Sequence, residues 1–478
     1  MSLNAQVLTG LKWTAGAKFG GQILTWAITI IVMRLLSPAD YGLMAMATAA
    51  ASLLGMLAEL GLGQALVQAQ EISTRQLRQA MGFFTLINVS LCLMQCAATP
   101  FLTSFYSEPK LGPVLYVMSL QFLLVPLGMI SEVQMERKLE YKKRSLVELS
   151  AAILASVTTL VLALTGSGVW SLVLGNLAGV VWRTVALNIA EPFPHLPIFK
   201  FDGMRPLLAF GGMMMLSRCL WMFYVQVDVM IIGRVLGGKV LGAYSVAMHL
   251  ASLPVQRVTA ILNQVAFPAL ARFQDQRELI RQQLLKLFSL LSLIAFPVSW
   301  GMSATANEIV LVLLGENWQD AVFPLRALTL MMPFRTMVGF LPTVTNAIGR
   351  PEIGFYNGIV NCIIMPPAFY IGCQWGIMGV AMAWLIAYPI TLLINAHRML
   401  SAVELTMGTV AMRIAPAVAC GATMYVAVEA LRRAMDGKAA HLTMLVTEIA
   451  AGAVVYMVAT WTFNRGTMSD ALKVFGKR

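Results

Sequence analysis

The stretch that decides the fold occurs twice, at an offset of 200 residues. R-L-L-S-P-A-D-Y-G-L occupies residues 34–43, and R-V-L-G-G-K-V-L-G-A occupies residues 234–243. Each copy has an arginine at its start, a leucine two residues later and a glycine at its ninth position. Long apolar stretches flank both copies, so each is interpreted as a tight turn between two membrane-spanning helices. The repeat therefore predicts two related halves in the same orientation.

The composition excludes a soluble protein. Of the 478 residues, 58% are hydrophobic and only 12% are charged, whereas soluble domains average about 25% charged residues. The same apolar excess excludes a disordered chain. The net charge of +12 is therefore attributed to basic loops on the cytoplasmic face of a bilayer rather than to nucleic-acid binding. The six cysteines include no C-x-x-C pair and no histidine spacing that could hold zinc.

Hydrophobic runs long enough to cross a bilayer, about 20 residues each, predict an all-α polytopic membrane protein. Six spans form an N-terminal lobe at 1–191, and six more form a second lobe at 205–400 in a pseudo-twofold arrangement. An additional helix pair at 405–463 and a cytoplasmic tail at 464–478 follow. The spans are predicted near 13–36, 41–66, 80–104, 112–135, 145–166, 168–190, 205–236, 241–266, 282–306, 321–346, 354–374, 376–398, 412–433 and 442–463.

The distribution of basic residues predicts the orientation of these spans. Loops on the side of the termini hold about 20 Lys and Arg, and the opposite loops about seven, which places both termini in the cytoplasm. The strongest cluster is Arg137, Lys138, Lys142, Lys143 and Arg144. It is interpreted mainly as a topology signal that lies against anionic lipid, with a specific docking site as the alternative.

Several segments resemble a known family. Besides residues 34–43, these are E-L-G-L-G-Q-A-L-V-Q at 59–68, D-V-M-I-I-G-R at 228–234 and A-F-P-A-L at 266–270. The chain is similar over essentially its whole length to the polysaccharide transporter branch of the multidrug/oligosaccharidyl-lipid/polysaccharide superfamily, in particular to colanic-acid and xanthan exporters. The resemblance implies a Wzx-type flippase of the bacterial inner membrane. Such a protein moves undecaprenyl-pyrophosphate-linked oligosaccharides to the periplasmic leaflet for exopolysaccharide, O-antigen or capsule assembly.

Basic and aromatic residues within the spans are candidates for binding the pyrophosphate and the sugars. Charges inside a bilayer are costly unless they are paired or face water, and guanidinium groups bind phosphate oxygens with two parallel hydrogen bonds. Snorkelling to the interface and capping of backbone carbonyls are the alternative interpretations of the arginines. The predicted binding residues are Lys18, Gln22, Arg218, Trp221, Tyr224, Arg257 and Arg335. Arg326 is a further cationic candidate, but it lies nine residues from Arg335 and faces the opposite side of the helix, so the two cannot both line the cavity.

Three further ionisable residues are candidates for coupling or gating. Glu59 is expected at the depth of Lys18, as a structural ion pair or as a pair that opens during transport. Asp228 and His249 lie at similar depths on spans 7 and 8 and are candidates for proton transfer. A purely structural role for Asp228 is the alternative. We expect no metal and no cofactor, while coupling to H⁺ or Na⁺ remains open.

Two other function classes compete with the flippase. A cation-coupled multidrug exporter would favour acidic residues in its interior, whereas Arg and Lys predominate here. A membrane polysaccharide polymerase or ligase would need a sizeable loop or an acidic pair outside the membrane, and neither is found. Without a nucleophile, a metal cluster or a phosphate-binding glycine loop, the sequence predicts a transporter and not an enzyme. Its expected partners are the lipid-linked oligosaccharide, membrane lipids and, further downstream, a polymerase and export machinery.

Overall fold

A computed structural model describes residues 20–22, 24–58, 63, 66–67, 72–200, 212–271, 277–350, 352–435, 440–466 and 468. Side chains are described for these residues except 212–218, 255–271, 277, 343 and 347. Within this set the chain forms fourteen long helices and no strand. They are α1 (Gly20–Leu35), α2 (Pro38–Ala58), α3 (Thr74–Tyr106), α4 (Leu111–Arg137), α5 (Tyr141–Leu164), α6 (Val169–Ala190), α7 (Gly212–Val235), α8 (Gly237–Ala271), α9 (Arg277–Ala304), α10 (Val322–Ala347), α11 (Glu352–Gly372), α12 (Gly376–Ala402), α13 (Met407–Met435) and α14 (His441–Phe463).

Each helix corresponds to one of the fourteen predicted spans, so the all-α polytopic fold is confirmed. Ten apolar stretches of the described chain are long enough to cross a membrane, and one of them, Glu352–Ala402, contains both α11 and α12. The described part of α1 is shorter. α7 and α8 are more polar, with residues such as Asp228 and His249 in their apolar stretches. Several helices exceed the predicted spans, and α8 has 35 residues, because helices extend past a hydrocarbon core of about 30 Å.

The two repeated turns contact each other. A Cβ atom added to Gly42 would lie 1.8 Å from the carbonyl oxygen of Gly238, and one added to Gly242 would lie 1.7 Å from the carbonyl oxygen of Pro38. The first turn is held by Ser37, whose hydroxyl donates to Asp40 Oδ2 at 2.6 Å. The second begins with Gly237 at a φ of 82°, which favours glycine. Glycine thus recurs at the ninth position because both turns require close backbone approach.

The helices divide into two compact units, residues 1–242 and 243–478. In the first unit, α5 and α6 pack closely at Gly179, where an added Cβ would lie 2.9 Å from Ala155 Cβ. In the second unit, α9, α10, α12 and α13 enclose a core that includes Phe296 and Phe340, both fully buried. The predicted division into lobes at 1–191 and 205–400 stays a prediction.

The basic cluster between α4 and α5 is largely compensated by acidic neighbours. Arg144 contacts Glu132 at 3.0 Å, Glu136 at 3.5 Å and Glu148 at 3.3 Å. Lys138 donates to Glu191, and this hydrogen bond raises the pKa of Lys138. The cluster therefore forms an intramolecular ion network in addition to any contact with lipid headgroups.

Candidate functional site

Arg335 lies at the centre of a cluster of aromatic side chains in the second unit. It is half-buried on α10, and its guanidinium carbon is 5.1 Å from the centre of the Trp384 ring. This distance is within the range of a cation–π interaction. Its Nη1 also contacts the sulfur of Met248 at 3.8 Å. Among the sequence-predicted binding residues with described side chains, Arg335 is therefore the cation that the structure places against an aromatic face.

Trp384 joins Arg335 to three further aromatic rings. Its indole N–H donates to the Tyr244 hydroxyl at 2.8 Å. Its ring centre is 5.2 Å from that of Tyr388 and 5.5 Å from that of Phe369. All four aromatic side chains are at most 6% exposed. We call Arg335, Tyr244, Phe369, Trp384 and Tyr388 the Arg335 cluster.

The local sequence explains why these rings meet. Trp384 and Tyr388 are four residues apart on α12 and so lie on one helix face. α11 and α12 approach closely where they are joined, because a Cβ added to Gly379 would lie 2.1 Å from the carbonyl oxygen of Gly372. This close approach places Phe369 of α11 beside Trp384.

The same face of α12 continues as a polar ladder between α11 and α12. Asn395 Nδ2 donates to Asn361 Oδ1 at 2.8 Å, and Arg398 Nη1 donates to Asn357 Oδ1 at 2.9 Å. The three asparagines are buried and Arg398 is half-buried. Sequence analysis missed this stripe, although its members recur at helical spacing: Trp384, Tyr388, Thr391, Asn395 and Arg398.

We expect Asn361→Ala to weaken the contact between α11 and α12. Interhelical hydrogen bonds in membranes contribute on average about 0.6 kcal/mol and at most about 1.7 kcal/mol. The change should therefore lower the unfolding free energy of the purified protein in mixed micelles by about 1 kcal/mol. A double-mutant cycle with Asn395→Ala isolates the bond, and strictly additive effects of the two changes would contradict it.

The remaining predicted binding residues lie in α1, α7 and α8 or outside the described residues. Trp221 is 53% exposed, whereas Tyr224, with a ring centre 5.7 Å away, is buried. These two neighbouring aromatic side chains of α7 therefore differ in exposure. The carbonyl oxygen of Gln22 accepts from the Thr25 hydroxyl at 3.0 Å. The backbones of Arg218 and Arg257 lie in α7 and α8, but their side chains, like all of Lys18, lie outside the described residues.

Of the three predicted coupling residues, two are described and belong to different units of the chain. Asp228 is buried in the first unit, and its Oδ1 accepts from the backbone N–H of Val229 at 2.7 Å. His249 belongs to the second unit and is exposed. Glu59 lies outside the described residues. The roles assigned to these three residues stay predictions.

A second charged cluster in the second unit was missed by sequence analysis. Glu429 of α13 contacts Arg326 of α10 at 3.7 Å and Arg432 of its own helix at 2.6 Å. Glu308, between α9 and α10, and Glu448 of α14 are both 1% exposed and interact electrostatically with Arg432. The available sequence signal was Glu448 itself, a carboxyl group within the predicted span 442–463. No group of metal-ligating side chains occurs in the described part of the chain.

With this geometry established, comparison with known proteins assigns the family. Residues 31–323, more than half of the chain, match the family described as "Polysaccharide biosynthesis protein". The chain belongs to this family. Its membership confirms the resemblance to polysaccharide transporters that residues 34–43 and 228–234 indicated.

Relatives across most of the chain carry names from polysaccharide biosynthesis. Lipopolysaccharide biosynthesis protein WzxC of Escherichia coli is 27% identical over 420 residues, which cover 84% of this chain and 82% of WzxC. Teichuronic acid biosynthesis protein TuaB of Bacillus subtilis is 24% identical over 425 residues, covering 83% of this chain and 85% of TuaB. Succinoglycan biosynthesis transport protein ExoT of Rhizobium meliloti is 26% identical over 392 residues, covering 80% of this chain and 78% of ExoT.

Solved structures place this polysaccharide biosynthesis protein in the fold of the wider superfamily. Lipid II flippase MurJ, in an inward closed conformation, has a TM-score of 0.79 at 16% identity, covering 95% of this chain and 99% of MurJ. An inward-facing multidrug resistance transporter of the MATE family has a TM-score of 0.61 at 15% identity, covering 79% of this chain and 94% of that transporter. The chain thus has the multi-pass membrane fold of these transporters.

Proposed function

We propose that the protein flips undecaprenyl-pyrophosphate-linked oligosaccharide repeat units from the cytoplasmic to the periplasmic leaflet of the bacterial inner membrane. The translocated units then enter the assembly of exopolysaccharide, O-antigen or capsule. Support comes from the family, from relatives named for lipopolysaccharide, teichuronic acid and succinoglycan biosynthesis, and from a fold shared with a lipid II flippase. The family match disfavours the multidrug exporter, and transporter relatives disfavour the polymerase or ligase.

The observation that carries this proposal is the Arg335 cluster, because it combines the two chemistries of such a substrate. A pyrophosphate crossing a hydrocarbon core of about 30 Å loses its hydration and needs compensating positive charge. Arginine suits this task because its planar guanidinium donates two parallel hydrogen bonds to phosphate oxygens and is more weakly hydrated than an ammonium group. Trp384, Tyr388 and Tyr244 are amphipathic rings that can pack against sugars.

Binding of the substrate replaces contacts that Arg335 now makes within the cluster. In the present arrangement the Trp384 ring occupies one face of Arg335, and all four aromatic side chains are buried. Binding therefore requires the cluster to open, which fits transport by alternating access. The polyprenyl tail stays in lipid beside α13 and α14, and both termini lie in the cytoplasm, as the loop charges indicate.

Deletion of the gene tests the function directly. Spheroplasts of the deletion strain are probed with a sugar-specific reagent, and extracted lipids are analysed by mass spectrometry. We expect a polyprenyl-pyrophosphate oligosaccharide to accumulate in a form inaccessible from outside, and the wild-type gene to restore export. Accumulation on the outer leaflet would instead move the defect to a step after translocation. An unchanged lipid pool would contradict the proposed substrate.

A further inference from the structure

The charged cluster at α14 contains more buried negative charge than its cations compensate. Its acidic members are Glu308, Glu429 and Glu448, and its half-buried cations are Arg326 and Arg432. Arg433 also contacts Glu429, at 3.4 Å, but its side chain is 77% exposed, and an ion pair with so exposed a partner contributes little. Full ionisation would leave one carboxylate in excess in a region that excludes water, which is costly.

The hydrogen bonds identify which carboxyl groups carry the excess charge. Glu429 is satisfied, because both of its oxygens accept from Arg432. Glu448 is the opposite case, since neither of its oxygens has a hydrogen-bonding partner. Glu308 is intermediate. Its Oε1 accepts from the Asn307 side chain at 3.0 Å, whereas its Oε2 has no partner.

The two unsatisfied groups are neighbours. Glu448 lies on α14 and Glu308 follows α9, and their carboxyl groups interact with each other directly. Two ionised carboxylates only accept hydrogen bonds, so neither can satisfy the other. One added proton would convert one of them into a donor, form the missing hydrogen bond and remove the excess charge.

Among the described residues of the surrounding helices, no other ionisable group replaces that proton. The segment of α9 next to Glu308, residues 289–304, contains no acidic or basic residue, and residues 310–314 are all apolar. Tyr456 of α14, two turns beyond Glu448, donates to the carbonyl oxygen of Leu293 at 2.9 Å. Tyr425 of α13 is half-buried among apolar neighbours. His441, two turns before Glu448, is exposed.

We propose that Glu308 and Glu448 form a proton-binding site that holds one shared proton at neutral pH. The site binds a proton rather than a metal ion, because Na⁺ would require several more oxygen ligands and would be repelled by Arg326 and Arg432. Release of the proton leaves three carboxylates against two half-buried guanidiniums where α14 packs on the connection between α9 and α10. The charge state of the site is therefore coupled to that packing. The inference is independent of which molecule the protein transports.

Infrared spectroscopy of the purified full-length protein in lipid nanodiscs tests this site. A protonated buried carboxyl group has a C=O band that ionised surface carboxylates lack, and exchange into D₂O shifts it. We expect one such band in the wild-type protein at neutral pH. Because one proton is shared, either Glu448→Gln or Glu308→Gln should remove the band completely. Glu278→Gln, at an exposed residue paired with Arg281, is the matched control and should leave the band unchanged.

Each other outcome overturns the proposal in a defined way. A band that is only halved in each variant would mean two separately protonated groups. A band missing from the wild-type protein in Na⁺ buffer but present in choline buffer would assign the site to Na⁺. Absence of the band in both buffers would mean that both groups are ionised. The wild-type spectrum alone decides these last two cases, even if a variant fails to fold.

Discussion

Replacing Arg335 by alanine is expected to reduce export of the polysaccharide about 100-fold, with normal amounts of the protein in the membrane. The change removes a guanidinium that contacts Trp384 in the present arrangement and that we assign to the pyrophosphate. Charge-assisted hydrogen bonds contribute about 1.5–3 kcal/mol each, and about 1.4 kcal/mol corresponds to a tenfold change in binding. Arg335→Lys should retain part of the activity, since lysine keeps the charge but not the two-pronged geometry.

The matched control for this experiment is Arg350→Ala. Arg350 lies between α10 and α11, is 54% exposed and pairs with Glu352 at 3.1 Å. It shares the charge of Arg335 but not its aromatic surroundings, so its loss should leave export within about twofold of wild type, as expected for an exposed ion pair. Export, membrane abundance and the accumulated lipid-linked oligosaccharide are measured in the same strains. Wild-type export in the Arg335→Ala strain would remove Arg335 from the binding site.

The second large effect is expected at the contact between the repeated turns. A Cβ atom at Gly42 or Gly242 would overlap the backbone of the other turn, with separations of 1.8 Å and 1.7 Å. Backbone atoms cannot move aside as a flexible side chain can, so alanine at either residue must separate the turns. Overpacking costs about 1–3 kcal/mol and occasionally more. We expect Gly42→Ala and Gly242→Ala to lower the unfolding temperature markedly and to abolish export.

Gly408→Ala and Gly339→Ala serve as controls for this prediction. Both glycines lie inside helices, and a Cβ at either residue would meet no atom within 4 Å. Alanine is a better helix former than glycine by up to about 1 kcal/mol, so these variants should be as stable as the wild-type protein or slightly more stable. Unfolding temperatures in detergent distinguish the two pairs. Equal stability of Gly42→Ala and Gly408→Ala would disprove the close contact.

The sequence by itself determined the number and position of the helices. Whether a segment crosses a bilayer depends on the length of its own apolar run. The span predicted at 112–135 therefore agrees with the helix Leu111–Arg137, and the span predicted at 442–463 agrees with His441–Phe463. The repeat at Gly42 and Gly242 was equally local, because a tight turn is encoded in a few adjacent residues. The family followed from these same segments.

Only the tertiary structure decided which side chains meet. Arg335 and Trp384 belong to different helices, and depth along a helix does not specify its rotation toward a neighbour. For the same reason, Glu308, Glu429 and Glu448 converge from three separate segments although nothing in their spacing links them. Helical position likewise did not determine that Trp221 is exposed while Tyr224 is buried. Spans are local properties of the chain, whereas a binding site depends on the packing of several helices.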